Sequence, residues 1–237
     1  MKTKARFLNT RAFSLVELLV VISVIAIVAG FAVPAVTTMI RGSSLTQGSQ
    51  NIADQIVLAR QLALSRNRSV EVRFYKFADP EVPGENPKDP ETGFFRACQT
   101  FEILDNGGVL PTGGLTRLPV GVIMNEGKLS TILHERPVLD PKSSDPPLPD
   151  TQAAQNYKYV ALRFLPDGST DLPPTGVEIS TGGTSKGDSW YLTIHGTQIQ
   201  TGGTSAGKTE TLPDNFFTLQ IDPITGSTRS YRPTVGG

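Results

Sequence analysis

The order of apolar and polar positions divides this chain into three stretches of different period. From Phe13 to Ile40 apolar residues run almost without a break, and Leu18–Ile40 holds 23 residues with no charge. About 20 such residues suffice for a helix to cross a bilayer. From Leu45 the period changes: Leu45, Ile52, Ile56, Ala59 and Ala63 recur at helical spacing, with Gln55, Arg60 and Arg66 on the other face. This predicts an amphipathic helix to about Ser65. Between the two lies RGSSLTQGSQ, where Gly42, Ser43, Ser44 and Gly48 predict a break or loosening.

Beyond Ser69 the period falls to two. In SVEVRFYKF, Val70, Val72 and Phe74 alternate with Glu71, Arg73 and Tyr75, as in a half-buried strand. Further strands are predicted at 94–104, 118–125, 157–165, 189–197 and 215–222. The stretches 78–93 and 140–150 are rich in proline and read as exposed loops, while Pro166–Ser169 and Pro223–Gly226 read as hairpin turns. The expected architecture is α+β: a long N-terminal, transmembrane α-helix packed on a C-terminal antiparallel β-rich domain. Its segments are a basic leader (1–12), a membrane or filament-core helix (13–40), an amphipathic second half (41–66) and a β-rich body (67–237).

Charge sharpens this division. The first twelve residues carry Lys2, Lys4, Arg6 and Arg11 and no acid, which leaves 18 Lys and Arg against 22 Asp and Glu in the rest of the 237-residue chain. Basic residues ahead of an apolar span stay cytoplasmic, which puts the body on the far side of the membrane. A basic start before an apolar core also reads as an export signal, with a possible cut after Gly30. The mildly acidic body gives no reason to expect nucleic-acid binding. Cys98 is the single cysteine, so no intrachain disulfide forms, and with only His134 and His195 besides there is no basis for a Cys/His zinc site.

Glu17 is the exception within the apolar run. A carboxylate in a membrane helix costs roughly 2.5–3.5 kcal/mol at mid-span and less near an end. It either snorkels to the interface or pairs with a cation inside an assembly, for which a free α-amino group is suited. Pro34, aided by Gly30, should kink or locally melt the helix, or mark its end at the membrane surface.

The basic leader followed by Ala12-Phe13-Ser14-Leu15-Val16-Glu17-Leu18-Leu19-Val20-Val21-Ile22 resembles the processing motif of type IV pilins and type II secretion pseudopilins. The resemblance implies cleavage between Ala12 and Phe13 by a prepilin peptidase and N-methylation of Phe13. It implies that Glu17 meets the N-terminus of a neighbouring subunit. The implied partners are that peptidase, other pilin or pseudopilin subunits, an inner-membrane assembly platform and the lipid bilayer. The implied location is the inner membrane, single-pass, with the body periplasmic. The family usually has Gly before the cut, where this chain has the also small Ala12; it often has a Pro where Pro34 stands. IVLARQLALSRNRSVEV (56–72), RFLPDGST (163–170) and IDPITGSTRSYRP (221–233) resemble the H-type minor pseudopilins and fimbrial T proteins. VEVRFYKFADPE (70–81) with RFLPDGSTDL (163–172) resembles, more narrowly, the Verru_Chthon cassette protein D family.

Enzyme motifs occur but lack their settings. Gly202–Thr209 satisfies the P-loop pattern, yet the residues after it favour strand, not the helix that phosphate binding needs. Gly183–Gly187 and Gly203–Gly207 satisfy GxSxG without a suitably placed later histidine. Both belong to two similar TGGTS loops. Asp140, Asp145 and Asp150 lack calcium-loop spacing and read as solvated. The expectation is a structural subunit with no catalytic residues, cofactor or metal. The alternative is a membrane-anchored or secreted β-domain binding protein that enters no filament.

Overall fold

The protein was analysed as a computed structural model, which describes residues 14–143, 145, 146, 148, 156–174, 190–197, 213 and 215–232. It comprises two compact units, residues 1–41 and 42–237.

Helix α1 spans Leu15–Arg66. In the first unit its apolar side chains, among them Leu15, Val16, Leu19, Ile22, Ile25 and Val28, are exposed. Among the described residues no helix is long and apolar enough to cross a membrane. Residues 31–38, inside the uncharged run Leu18–Ile40, are described by their backbone alone.

The expected break at 41–48 does not occur, because α1 is helical throughout this stretch. Tertiary contact outweighs the poor propensity of Gly and Ser there. Leu45 is buried, and Gly48 lies so close to the body that a Cβ would stand 2.7 Å from Pro119 and 3.0 Å from Leu118. Only a residue without a side chain fits. Thr46 contributes too, its hydroxyl donating to the Gly42 carbonyl at 2.9 Å.

The second unit is a nine-stranded antiparallel sheet over the C-terminal part of α1. The strands are β1 (Val70–Phe77), β2 (Phe94–Ile103), β3 (Val109–Pro111), β4 (Thr116–Arg117), β5 (Val122–Met124), β6 (Lys158–Phe164), β7 (Trp190–Gly196), β8 (Phe216–Ile221) and β9 (Thr228–Tyr231). Their order is β6-β1-β2-β5-β7-β8-β9, with β3 and β4 also pairing with β2. A short helix, α2 (Thr131–Glu135), interrupts the region expected to be sheet and loop alone. The helical-spacing residues Leu45, Ile52, Ile56, Ala59 and Ala63 are all buried. They join Val70, Val72, Phe74, Val160, Leu162 and Leu192 in the main core.

Strand β1 departs from the half-buried expectation: all eight of its residues are buried. Its second face meets a smaller cluster of Tyr75, Phe77, Ala97, Phe101, Leu148, Tyr157 and Tyr159. Part of that cover comes from 140–150, a stretch expected to be solvated.

Candidate functional site

At the start of α1, Ser14 stands just before the first helical residue. Its Oγ accepts from the Glu17 N–H at 3.1 Å, and its carbonyl accepts from the Leu18 N–H at 3.2 Å. Ser14-x-x-Glu17 is thus a helix start, with the serine satisfying a donor that the helix cannot and the carboxylate in the positive first turn. The Ser-x-x-Glu spacing is itself a sequence signal for such a cap. Glu17 is exposed, at the edge of the exposed apolar surface. Ala12 and Phe13 lie outside the described residues. Helical backbone runs through Gly30 and Pro34 without interruption.

In the body, polar residues expected to face water instead tie distant segments together. Arg60 donates its Nε–H to the Thr225 carbonyl at 2.8 Å and approaches the Gly168 carbonyl at 3.4 Å. Both carbonyls belong to predicted turns. In each turn a glycine takes a left-handed backbone, Gly168 at φ +83° and Gly226 at φ +65°. Arg66 pairs with Glu102.

On the covered face of β1, the Arg73 guanidinium lies between the rings of Phe101 and Tyr159, 4.8 and 4.4 Å from their centroids. It bonds Glu71 at 2.7 Å and Asp145 at 3.0 Å, and Arg163 reaches Glu71 at 3.1 Å. Burial works against the Arg73 charge, but the bonds to Glu71 and Asp145 outweigh it and raise its pKa. The Asp145 side chain is only 4% exposed, which corrects its reading as part of a solvated loop. Nearby, Lys76 bonds Glu91 at 3.1 Å and Glu126 at 2.8 Å, while Lys158 bonds Glu91 at 2.6 Å. Hydrogen bonds from Lys158 and Lys76 lower the Glu91 pKa to about 2.

His195 is buried, and burial lowers its pKa, partly offset by its bond to the Gly196 carbonyl. Its Nε2 lies 3.2 Å from Asn125 Nδ2, and Asn125 Oδ1 accepts from the Gly127 N–H at 2.7 Å. His134 is exposed beside Glu135. Burial pushes the Cys98 thiol up to about 12. Among the described residues no cluster of His, Cys, Asp or Glu could hold a metal. The P-loop and GxSxG matches, 202–209, 183–187 and 203–207, lie outside the described residues, as does Asp150.

Residues 8–33 match the family model described as the prokaryotic N-terminal methylation motif. No curated protein matches the sequence. Two solved structures share 11% and 13% identity. One is the minor pseudopilin EpsH from the type 2 secretion system of Vibrio cholerae. It aligns over 80% of this chain and 98% of its own, at a TM-score of 0.39. The other is the type IV minor pilin FimU of Pseudomonas aeruginosa, over 81% and 90%, at a TM-score of 0.38. The family match is confined to the amino-terminal motif, and both solved structures are similar to this chain only at low identity.

Proposed function

We propose that this chain is a structural, non-catalytic minor subunit of a type II secretion or type IV pilus-like filament. The observation that carries the reading is the methylation motif at 8–33, laid over a capped helix whose apolar side chains are exposed. Surface of that kind calls for lipid first and neighbouring helices later. In this reading the basic leader stays cytoplasmic, a prepilin peptidase cuts between Ala12 and Phe13, and the helix holds the subunit in the inner membrane. The assembly platform then moves it into the filament, with the body outside the cytoplasm. Glu17 sets the axial register by pairing with the amine of a neighbour. Gly30 and Pro34 give the helix its point of flexure. The long loops of the body favour a low-copy, minor place over the repeating lattice of a major subunit.

The test is the mature N-terminus of protein made in its own host, read by mass spectrometry. The expected product begins at N-methylated Phe13. A chain beginning near Phe31, or retaining Met1, would instead describe an exported or simply anchored β-domain. A second measurement concerns Glu17→Ala, which should be cut normally and enter filaments at least tenfold less.

A further inference from the structure

A cleft of about 360 Å³ opens in the body between Phe77 at the end of β1, Asp79 just beyond it, Arg96 on β2, Arg117 on β4 and the Leu118–Ile123 stretch. Its floor is apolar: Phe77, Leu118, Val122 and Ile123 are all buried. At its rim Val120 is 86% exposed, the most exposed of the large apolar residues described. The rim is fixed in shape. Gly121 turns the chain at φ +80°, the Val122 N–H bonds the Pro119 carbonyl at 3.0 Å, and the Thr197 N–H bonds the Gly121 carbonyl at 2.7 Å. The same Leu118–Pro119 pair presses on Gly48 of α1, which holds the cleft wall from behind.

The charges of the lining are unequally spent. Its two carboxylates, Asp79 and Glu85, both serve Arg96, at 3.3 and 2.6 Å. Arg96 still has a buried Nε–H with no acceptor. Arg117 lies 5.1 Å over the Phe77 ring and, among the described residues, meets no carboxylate within ion-pair distance. An apolar floor beside a cation that meets no carboxylate among the described residues asks for an apolar group next to an acceptor that carries negative charge. Arg96 engages both carboxylates of the lining, which leaves Arg117 as the charge an occupant would meet. Apolar lining residues beside an exposed arginine suit a peptide segment, with an apolar side chain lodged in the cleft and the arginine anchoring its edge.

We infer that this cleft docks an extended segment of a neighbouring, different subunit, in which an apolar side chain stands beside an Asp or Glu that pairs with Arg117. The inference rests on the filament-subunit reading above. Because the rim is already in place, docking costs little ordering on this side.

The test is made on the full chain in its own host, with a photo-crosslinking amino acid at Val120 and sequencing of the captured peptide. The expected peptide comes from another chain carrying the methylation motif and has Asp or Glu within two residues of the crosslink. Arg117→Glu should lower the yield at least tenfold, and Arg117→Lys should keep most of it. The same probe at Ile224, exposed on the distant Pro223–Gly226 turn, should give a yield unchanged by either substitution. Capture of lipid, of a second copy of this chain or of a segment without a carboxylate overturns the inference, as does a yield indifferent to Arg117→Glu. Filament content of the unmodified chain is measured in the same samples. Its absence from filaments overturns both readings; its presence with no acidic peptide captured overturns the docking inference alone.

Discussion

Arg60 on α1 holds the Thr225 carbonyl at 2.8 Å while facing the Gly168 carbonyl at 3.4 Å, so one guanidinium joins the helix to two hairpin turns. A backbone bond from the Thr170 N–H to the Pro223 carbonyl, at 3.0 Å, ties the same two turns directly. The contact between them is so close that a Cβ on Gly226 would collide with the Gly168 carbonyl oxygen.

Gly226→Ala should therefore combine backbone strain at positive φ with overpacking, together roughly 2–4 kcal/mol. Gly107→Ala is the control. Gly107 also has positive φ, +78°, but a Cβ there meets nothing within 4 Å, so only strain of about 1–2 kcal/mol remains. Denaturant unfolding of the two variants in detergent should separate them in that order.

Asp145→Ala should destabilise by about 3 kcal/mol, at the low end for a broken buried ion pair because Glu71 continues to hold Arg73. Replacing both partners, Arg73→Met with Asp145→Leu, should recover part of that loss, since the buried Glu71 that loses Arg73 keeps its pair with Arg163. Thermal melts of the single and double variants measure the difference. A double variant worse than Asp145→Ala would show that the two losses simply add.

Glu91 should contribute to the acid limb of stability. Its carboxyl is held below its ordinary 4.5, at about 2, so the folded state favours the ionised form. The contribution is present above about pH 4.5 and is lost as pH falls toward 2. Half of the side chain is in water, which limits its size. Glu91→Gln should melt lower than wild type at pH 6, with the gap closing near pH 2.

His195 should act in the same direction over a higher window. Its pKa is lowered by burial from 6.5, so the unfolded chain takes up the proton first. Stability then falls as pH drops below about 6.5. Protonated Nε2 would also point a hydrogen at the Asn125 amide, whose oxygen is engaged by Gly127. His195→Gln should flatten the melting temperature between pH 7 and 5.

Ser14→Ala should fray the first turn of α1 by removing the acceptor for the Glu17 N–H. Faster amide exchange confined to residues 15–18 is the expected result. Exchange rates equal to wild type would show that the cap contributes nothing.

The elements legible in the sequence were those whose pattern is local. Helical spacing from Leu45 to Ala63, alternation in β1, and the strand-like runs that hold β2, β6, β7 and β8 needed no knowledge of neighbours. The motif around Phe13 and Glu17 was legible because it is contiguous. Asp145 was not, because its partner Arg73 and the covering rings come from far along the chain. Short β3 and β4 exist only as partners of β2 and have too few residues to show a period. Arg117 reads as an ordinary exposed cation until the cleft beside it is known.

Gly48 carries a consequence for the order of folding. Glycine and serine give 41–48 little tendency to stay helical alone. The notch that Gly48 leaves for Pro119 supplies the missing stability only after the β-rich body has formed. Continuity of α1 through this stretch should thus depend on the body, and a subunit whose body has not folded should show a helix interrupted at 41–48.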